Sequence, residues 1–149
     1  MNHVAPAELQ QSVVIFADEL GLTADDIVNQ LSAEQGWQNK YRRIMLLGKT
    51  LPVLDDSFKN DLYQVQGCES QVWLTHSWQG DRLKLAASSD AKIVKGLIAI
   101  VLAAYNNKTR NEVEQFNVDE YLDGLGLIDQ LSPSRGNGIK AIIEAIRAF

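Results

Sequence analysis

Cys68 is the single cysteine in a chain of 149 residues, set in the run Val65-Gln66-Gly67-Cys68-Glu69-Ser70-Gln71-Val72-Trp73. One cysteine forms no internal disulfide and builds no multi-thiolate metal site. Three roles remain: a small buried hydrophobe, a reactive thiol, or a point of intermolecular attachment. Gly67 permits a positive-φ backbone ahead of the thiol, and the polar Glu69-Ser70-Gln71 behind it predicts a loop. Free cysteine is also among the most buried residue types. The residues alone leave packing and reactivity both open.

Other groups with chemical potential have simpler readings. Gly48-Lys49-Thr50 matches the end of a phosphate-binding loop, but position 43 is Arg where that loop needs glycine, and the segment follows a helical pattern. His76 shares a strand face with Val72, Leu74 and Trp78, which predicts a core histidine with its polar atoms satisfied. A metal site built on Cys68 would need His76 and His3, and His3 lies in the terminal tail. The acid pairs Asp25-Asp26, Asp55-Asp56 and Asp119-Glu120 fall at predicted helix starts or turns, where they offset the helix dipole. No Gly-x-Ser-x-Gly elbow occurs.

Elements of both periods position these residues. Leu9, Val13, Phe16 and Leu20 predict a helix from Pro6 to Leu20, stopped by Gly21. Thr23 caps a second helix carrying Ile27, Val28 and Leu31, and a third runs from Trp37 to Leu47, ended by Gly48. Residues 49–60 read as a loop. A short strand is expected over Leu62–Gln66, then a hairpin over 71–88 that turns at Gly80-Asp81. Within it Val72, Leu74, His76 and Trp78 alternate with Trp73, Thr75, Ser77 and Gln79, the pattern of a half-buried strand. Cys68 falls in the connection entering the hairpin. Ser89 is the expected N-cap of a long apolar helix reaching Tyr105. Thr109–Glu112 and Asn117–Glu120 read as capping boxes, and Pro133 opens a last helix that buries Ile139, Ile142, Ile143 and Ile146. The fold class expected is α+β, one domain over 1–149, with a small antiparallel sheet of about three strands against several helices.

Composition narrows the partners. A hydrophobic fraction of 46% and a charged fraction of 22% are ordinary for a globular domain. The net charge of −5 argues against bulk binding to nucleic acid or an anionic membrane, while leaving room for a local basic patch. The apolar run 96–105 is too short for a bilayer, which needs about 20 residues. The first residues carry no signal-peptide pattern, so the expected setting is a reducing cytoplasm.

Five blocks occur together and in order. They are Trp37-Gln38-Asn39-Lys40-Tyr41-Arg42-Arg43-Ile44, Leu47-Gly48-Lys49-Thr50-Leu51-Pro52, the run 65–73 around Cys68, Ser89-Asp90-Ala91-Lys92-Ile93-Val94-Lys95-Gly96-Leu97, and Leu131-Ser132-Pro133-Ser134-Arg135-Gly136-Asn137-Gly138-Ile139. In this order they resemble the SufE/CsdE family of sulfur-acceptor proteins. The resemblance spans 36–149 as a family core and leaves 1–35 as an N-terminal helical extension. It implies a fold like that of the IscU-type iron–sulfur scaffolds, an antiparallel sheet packed on helices. It also implies a persulfide carrier at Cys68, a supporting role for Arg135, and a cysteine desulfurase of the SufS or CsdA type as partner. The downstream acceptor would be an iron–sulfur scaffold complex or another sulfur-using pathway. Glu69 is similar to the CsdE branch and Ser70-Gln71-Val72-Trp73 to the SufE branch, which leaves both partner types open.

By that resemblance the chain is a sulfurtransferase-type accessory protein with no turnover of its own. It needs no metal or cofactor, pyridoxal phosphate belonging to the desulfurase. The Cys68 thiolate would attack the outer sulfur of a persulfide, as in thiol–disulfide exchange. Glu69 is expected to oppose the thiolate, and Arg135 and Lys95 are the cations that would favour it if the fold brings them near. A binding-only regulator of a desulfurase is the alternative function. An iron–sulfur scaffold is disfavoured, because one thiolate supplies too few ligands.

Overall fold

The computed structural model describes residues 6–149; His3 lies outside them. Seven helices and one hairpin follow in the order α1 (Ala7–Leu20), α2 (Ala24–Ser32), α3 (Trp37–Lys49), β1 (Val72–Gln79), β2 (Arg82–Ser89), α4 (Lys92–Tyr105), α5 (Arg110–Gln115), α6 (Val118–Gly124) and α7 (Pro133–Arg147). A 3-10 turn, Asp56–Phe58, interrupts the long connection between α3 and β1.

The helix boundaries follow from local chemistry. Gly21 ends α1 in the left-handed conformation at φ 60. Thr23 and Asp26 bond each other's backbone amides in a reciprocal capping box, and Thr109 and Glu112 repeat it for α5. Asn117 caps α6 by accepting from the Glu120 amide, and Ser132 caps α7 ahead of Pro133. The Asp55 carboxylate accepts from the Ser57 amide, which holds its pKa below the ordinary value. These acids cap turns.

Two boundaries differ from expectation. Gly48 does not end α3, which continues to Lys49. It is buried where α3 crosses α4, and a Cβ there would lie 2.9 Å from both the Gly96 amide and the Lys92 carbonyl. A Cβ on Gly96 would in turn collide with the Ile44 carbonyl. The Gly-Lys-Thr segment is thus a packing contact between two helices. Ser89, expected to cap α4, is the last residue of β2; the cap is Ala91, whose amide donates to Ser89 Oγ at 3.2 Å.

The sheet is antiparallel and α+β architecture holds, but it has two strands instead of about three. The segment expected as a strand over Leu62–Gln66 contributes a single bridge, Gln64 to Trp73. Its backbone meets β1 through Val65 N to Val72 O at 2.8 Å and Leu74 N to Tyr63 O at 2.9 Å. The chain turns at Gln66-Gly67 before a ladder can form.

The alternation in β1 does not leave one face wet. Val72, Leu74 and His76 are buried on one face, where Val72 meets α4 and α7 and His76 meets Phe149, while Thr75 and Ser77 are also buried. The cover on that second face is α1: Ser77 Oγ donates to Gln10 Oε1 at 3.2 Å, and Lys84, paired with Ser77 across the hairpin, reaches Asp18 at 3.0 Å. Thr75 Oγ1 has no hydrogen-bond partner among the described residues. That omission costs roughly 1–3 kcal/mol. Burial of Val13, Phe16 and Leu20 offsets it at about 1.5–3 kcal/mol for each side chain.

His76 is buried as expected, its ring stacked on Phe149 with centroids 3.9 Å apart. Its Nδ1 lacks a partner among the described residues, so the expected satisfaction is incomplete. Burial and then the Arg110 charge hold the imidazole pKa below its ordinary value. Among the described residues no helix is long and apolar enough to cross a membrane.

The α3–α4 crossing supplies a stability test. Gly96→Ala is expected to cost about 3 kcal/mol by overpacking, read as a lower urea midpoint. A midpoint equal to that of the unsubstituted chain would show that the helices separate without penalty.

Candidate functional site

The connection carrying Cys68 is pinned at both ends. Upstream, Val65 bonds across to Val72 and closes the base of the loop. Downstream, the Gln71 amide donates to Asp90 Oδ1 at 3.1 Å, and the Gln71 carbonyl accepts from Ser89 Oγ at 2.6 Å. Gly67 takes φ 91, a conformation that a side chain would strain. Its backbone lies against Ala141 of α7. A loop of few residues therefore bends over the middle of α7 and drops Cys68 inward.

Inward means a cavity of about 220 Å³. Its apolar walls are Val72 of β1, Val94 and Leu97 of α4, and Ile139 and Ile142 of α7. Ser70, Ser134, Arg135 and Gly138 line the rest, with the exposed Glu69 at the rim. The volume is several times the roughly 30 Å³ share of one water molecule. The thiol can therefore carry an additional sulfur atom without displacing a wall.

Cys68 Sγ lies 3.7 Å from the Gly138 carbonyl, to which the S–H donates weakly. Burial pushes the thiol pKa above its ordinary value. The physical cause is desolvation of the anion, in place of the Glu69 repulsion expected from the sequence. A raised pKa means that the tucked thiol is protonated at neutral pH, with the thiolate appearing only as pH rises past that of an ordinary cysteine. Tucked, Cys68 is a weak nucleophile.

Of the cations considered, Arg135 reaches the cavity and Lys95 does not. Arg135 is exposed at the mouth, and its guanidinium has no ion pair or hydrogen bond among the described residues. Lys95 instead packs its Cβ where α3 crosses α4, beside Gly48. His76 is absent from the cavity lining and stacks on Phe149, so no thiolate–imidazole pair forms. Among the described residues no three His, Cys, Asp or Glu side chains gather closely enough to hold a metal ion.

Two contributors to the site escaped the sequence reading. Asp90 is there only a member of the fourth block, yet it holds the loop through Gln71. Gly138 stood only as a member of the last block, yet a Cβ at that position would lie 3.7 Å from Cys68 Sγ. A glycine inside a helix at roughly 1 kcal/mol cost was the available signal.

With this geometry established, comparison with known proteins identifies the family. The model of the SufE family, the Fe–S metabolism associated domain, matches residues 25–149. The chain is 37% identical over 128 residues to the sulfur acceptor protein CsdE of Escherichia coli, covering 85% of this chain and 87% of that one. It is 36% identical over 127 residues to an uncharacterised SufE-like protein of Rhizobium etli, covering 83% and 86% respectively. The chain belongs to the SufE family. Its fold is also similar to the solution structure of a hypothetical protein from Thermus thermophilus, at TM-score 0.62 and 16% identity, covering 98% of this chain and 94% of that one.

The cavity makes two outcomes measurable. Alkylation of Cys68 by iodoacetamide is expected to rise with pH through a midpoint above that of the same cysteine in the urea-unfolded chain. Coincident midpoints would mean that burial leaves the thiol unperturbed. Gly138→Val, which adds bulk against the thiol, is expected to expel it and speed alkylation at neutral pH. A slowed or unchanged rate would show that the cavity does not shelter Cys68.

Proposed function

We propose that this protein accepts sulfur from a cysteine desulfurase on Cys68, stimulates that enzyme, and relays the sulfur onward. The observation that carries the reading is the only thiol of the chain, held on a short loop above an apolar cavity large enough for one more sulfur. Membership of an iron–sulfur metabolism family, and identity to a relative named as a sulfur acceptor, support it.

The step is thiol–persulfide exchange. Cys68 loses its proton to solvent on leaving the cavity, and the thiolate attacks the outer sulfur of the desulfurase persulfide. The new Sγ–S bond forms as the desulfurase S–S bond breaks, and the desulfurase cysteine departs as thiolate. Sulfane sulfur changes owner and no external oxidant or reductant is consumed. Pyridoxal phosphate acts on the desulfurase, and this chain contributes no cofactor. A reducing compartment such as the cytoplasm keeps Cys68 available.

Burial then serves the product. A persulfide is more acidic and more nucleophilic than a thiol, so it needs protection from oxidants and stray thiols between donor and acceptor. Val94, Leu97, Ile139 and Ile142 supply that shelter, and Arg135 at the mouth places a positive charge beside the terminal sulfur. Delivery follows by the same exchange, to an iron–sulfur scaffold complex or another sulfur-using protein. The opening of the loop, with Gly67 as its bend, links the sheltered and reacting positions.

Intact mass after incubation with a SufS- or CsdA-type desulfurase and cysteine tests the relay. A gain of one or more sulfur atoms on Cys68, removed by reductant, is expected. Cys68→Ser should lose both that gain and the stimulation of the desulfurase. Stimulation retained by Cys68→Ser would establish the binding-only regulator instead.

A further inference from the structure

The space beneath Cys68 is larger than one added sulfur needs. A sulfur atom takes up about as much room as a water molecule, roughly 30 Å³, and the cavity holds about 220 Å³. Its walls are apolar, and Val72, Leu97, Ile139 and Ile142 among them belong to the hydrophobic core. Side chains fixed in a close-packed core do not collapse into the space, so it persists. The Gly138 carbonyl is already engaged by the Cys68 thiol, and Arg135 stands at the mouth.

A chain of sulfur atoms suits such a space. Divalent sulfur is soft, polarizable and weak as a hydrogen-bond acceptor, so it gains dispersion contacts against apolar walls and gives up little hydration. S–S bonds of about 2.05 Å with dihedral angles near 90° make a short chain coil instead of extending. Each sulfur added therefore fills space that is otherwise without contacts, while the charged end of the chain stays toward Arg135.

We propose that Cys68 carries a polysulfide, loaded by successive transfers until the cavity is full. The proposal deepens the sulfur-relay reading above and rests on it. The first transfer leaves a persulfide on Cys68. Its terminal sulfur loses a proton to solvent and attacks the outer sulfur of a second desulfurase persulfide. A new S–S bond extends the chain, the donor's S–S bond breaks, and the desulfurase cysteine departs as thiolate. The desulfurase re-forms its persulfide from cysteine before each transfer, and no oxidant or reductant is consumed. Val94 is the wall residue that gauges the length. It is half-buried on the first turn of α4, at the edge of the core, where a change of size alters the cavity more than the fold.

The test loads the unsubstituted protein with a SufS- or CsdA-type desulfurase and excess cysteine, without reductant. Iodoacetamide then caps the terminal sulfur, and fragmentation of the Cys68 peptide counts the sulfurs between the cap and Sγ. Two or more are expected on a substantial share of the molecules. Val94→Phe, which fills the cavity, should lower the ratio of multiply to singly loaded protein about fivefold. Val94→Ala should raise that ratio, and Ile15→Phe, on the exposed face of α1, should leave it unchanged. A single sulfur at most on the unsubstituted protein would overturn the polysulfide and leave the relay intact. Several sulfurs in a ratio that neither Val94 substitution moves, or that Ile15→Phe moves equally, would overturn the cavity as the limit. No sulfur gained from either desulfurase type would overturn the relay, and the polysulfide with it.

Discussion

Helix α4 has no side exposed to water after its first turn, and α2, α3, β2 and α7 close around it. Residues Gly96 through Tyr105 are all buried. A helix that is apolar all round is unstable alone and needs partners on every side. Here α3 closes on it through the Gly48–Gly96 crossing, β2 and α7 pack against other sides, and Tyr121 of α6 donates to the Ile100 carbonyl at 2.9 Å. The same contacts fix the first turn of α4, and thereby Val94 and Leu97 at the thiol cavity. Stability and site share one element.

That sharing explains how a mobile function can rest on a rigid frame. The cavity walls come from helices locked into the core, whereas the thiol comes from a loop tied only at its ends. Displacing the loop disturbs few core contacts: Cys68 leaves a weak S–H contact and partial burial, and the walls remain. Burial makes the thiol a poor nucleophile where it rests, and under the proposed relay leaving the cavity would restore an ordinary one.

Electrostatics adds a level that neither burial nor hydrogen bonding supplies. Raising the Cys68 pKa by burial is a local effect over a few ångströms, acting on the thiol alone. The cations of α3, α4 and α7 act over a Debye length of about 8–10 Å, beyond the reach of that desolvation. Arg135 belongs to both ranges, because it stands at the cavity mouth and on the outer surface.

Much of this is legible in residue order, where local chemistry decides. The caps at Thr23, Thr109 and Ser132, the turn at Gly80 and the inward stripe of α7 depend on neighbours within a few positions, so spacing reveals them. The candidacy of Cys68 and Arg135 likewise follows from residue type and ordered blocks. Burial of both faces of β1 is not legible, since Thr75 and Ser77 look solvent-facing until α1, some sixty residues earlier, lies across them. Gly48 looks like a helix stop because its reason for being glycine is Gly96, on another helix. The cavity under the lone thiol is not legible either, since its walls on α4 and α7 meet only in the fold. Residue order was thus enough for most of the elements, their ends and the candidacy of the one thiol in the sequence. What lies opposite each face was settled by the fold, because contact between distant segments depends on how the whole chain closes around α4.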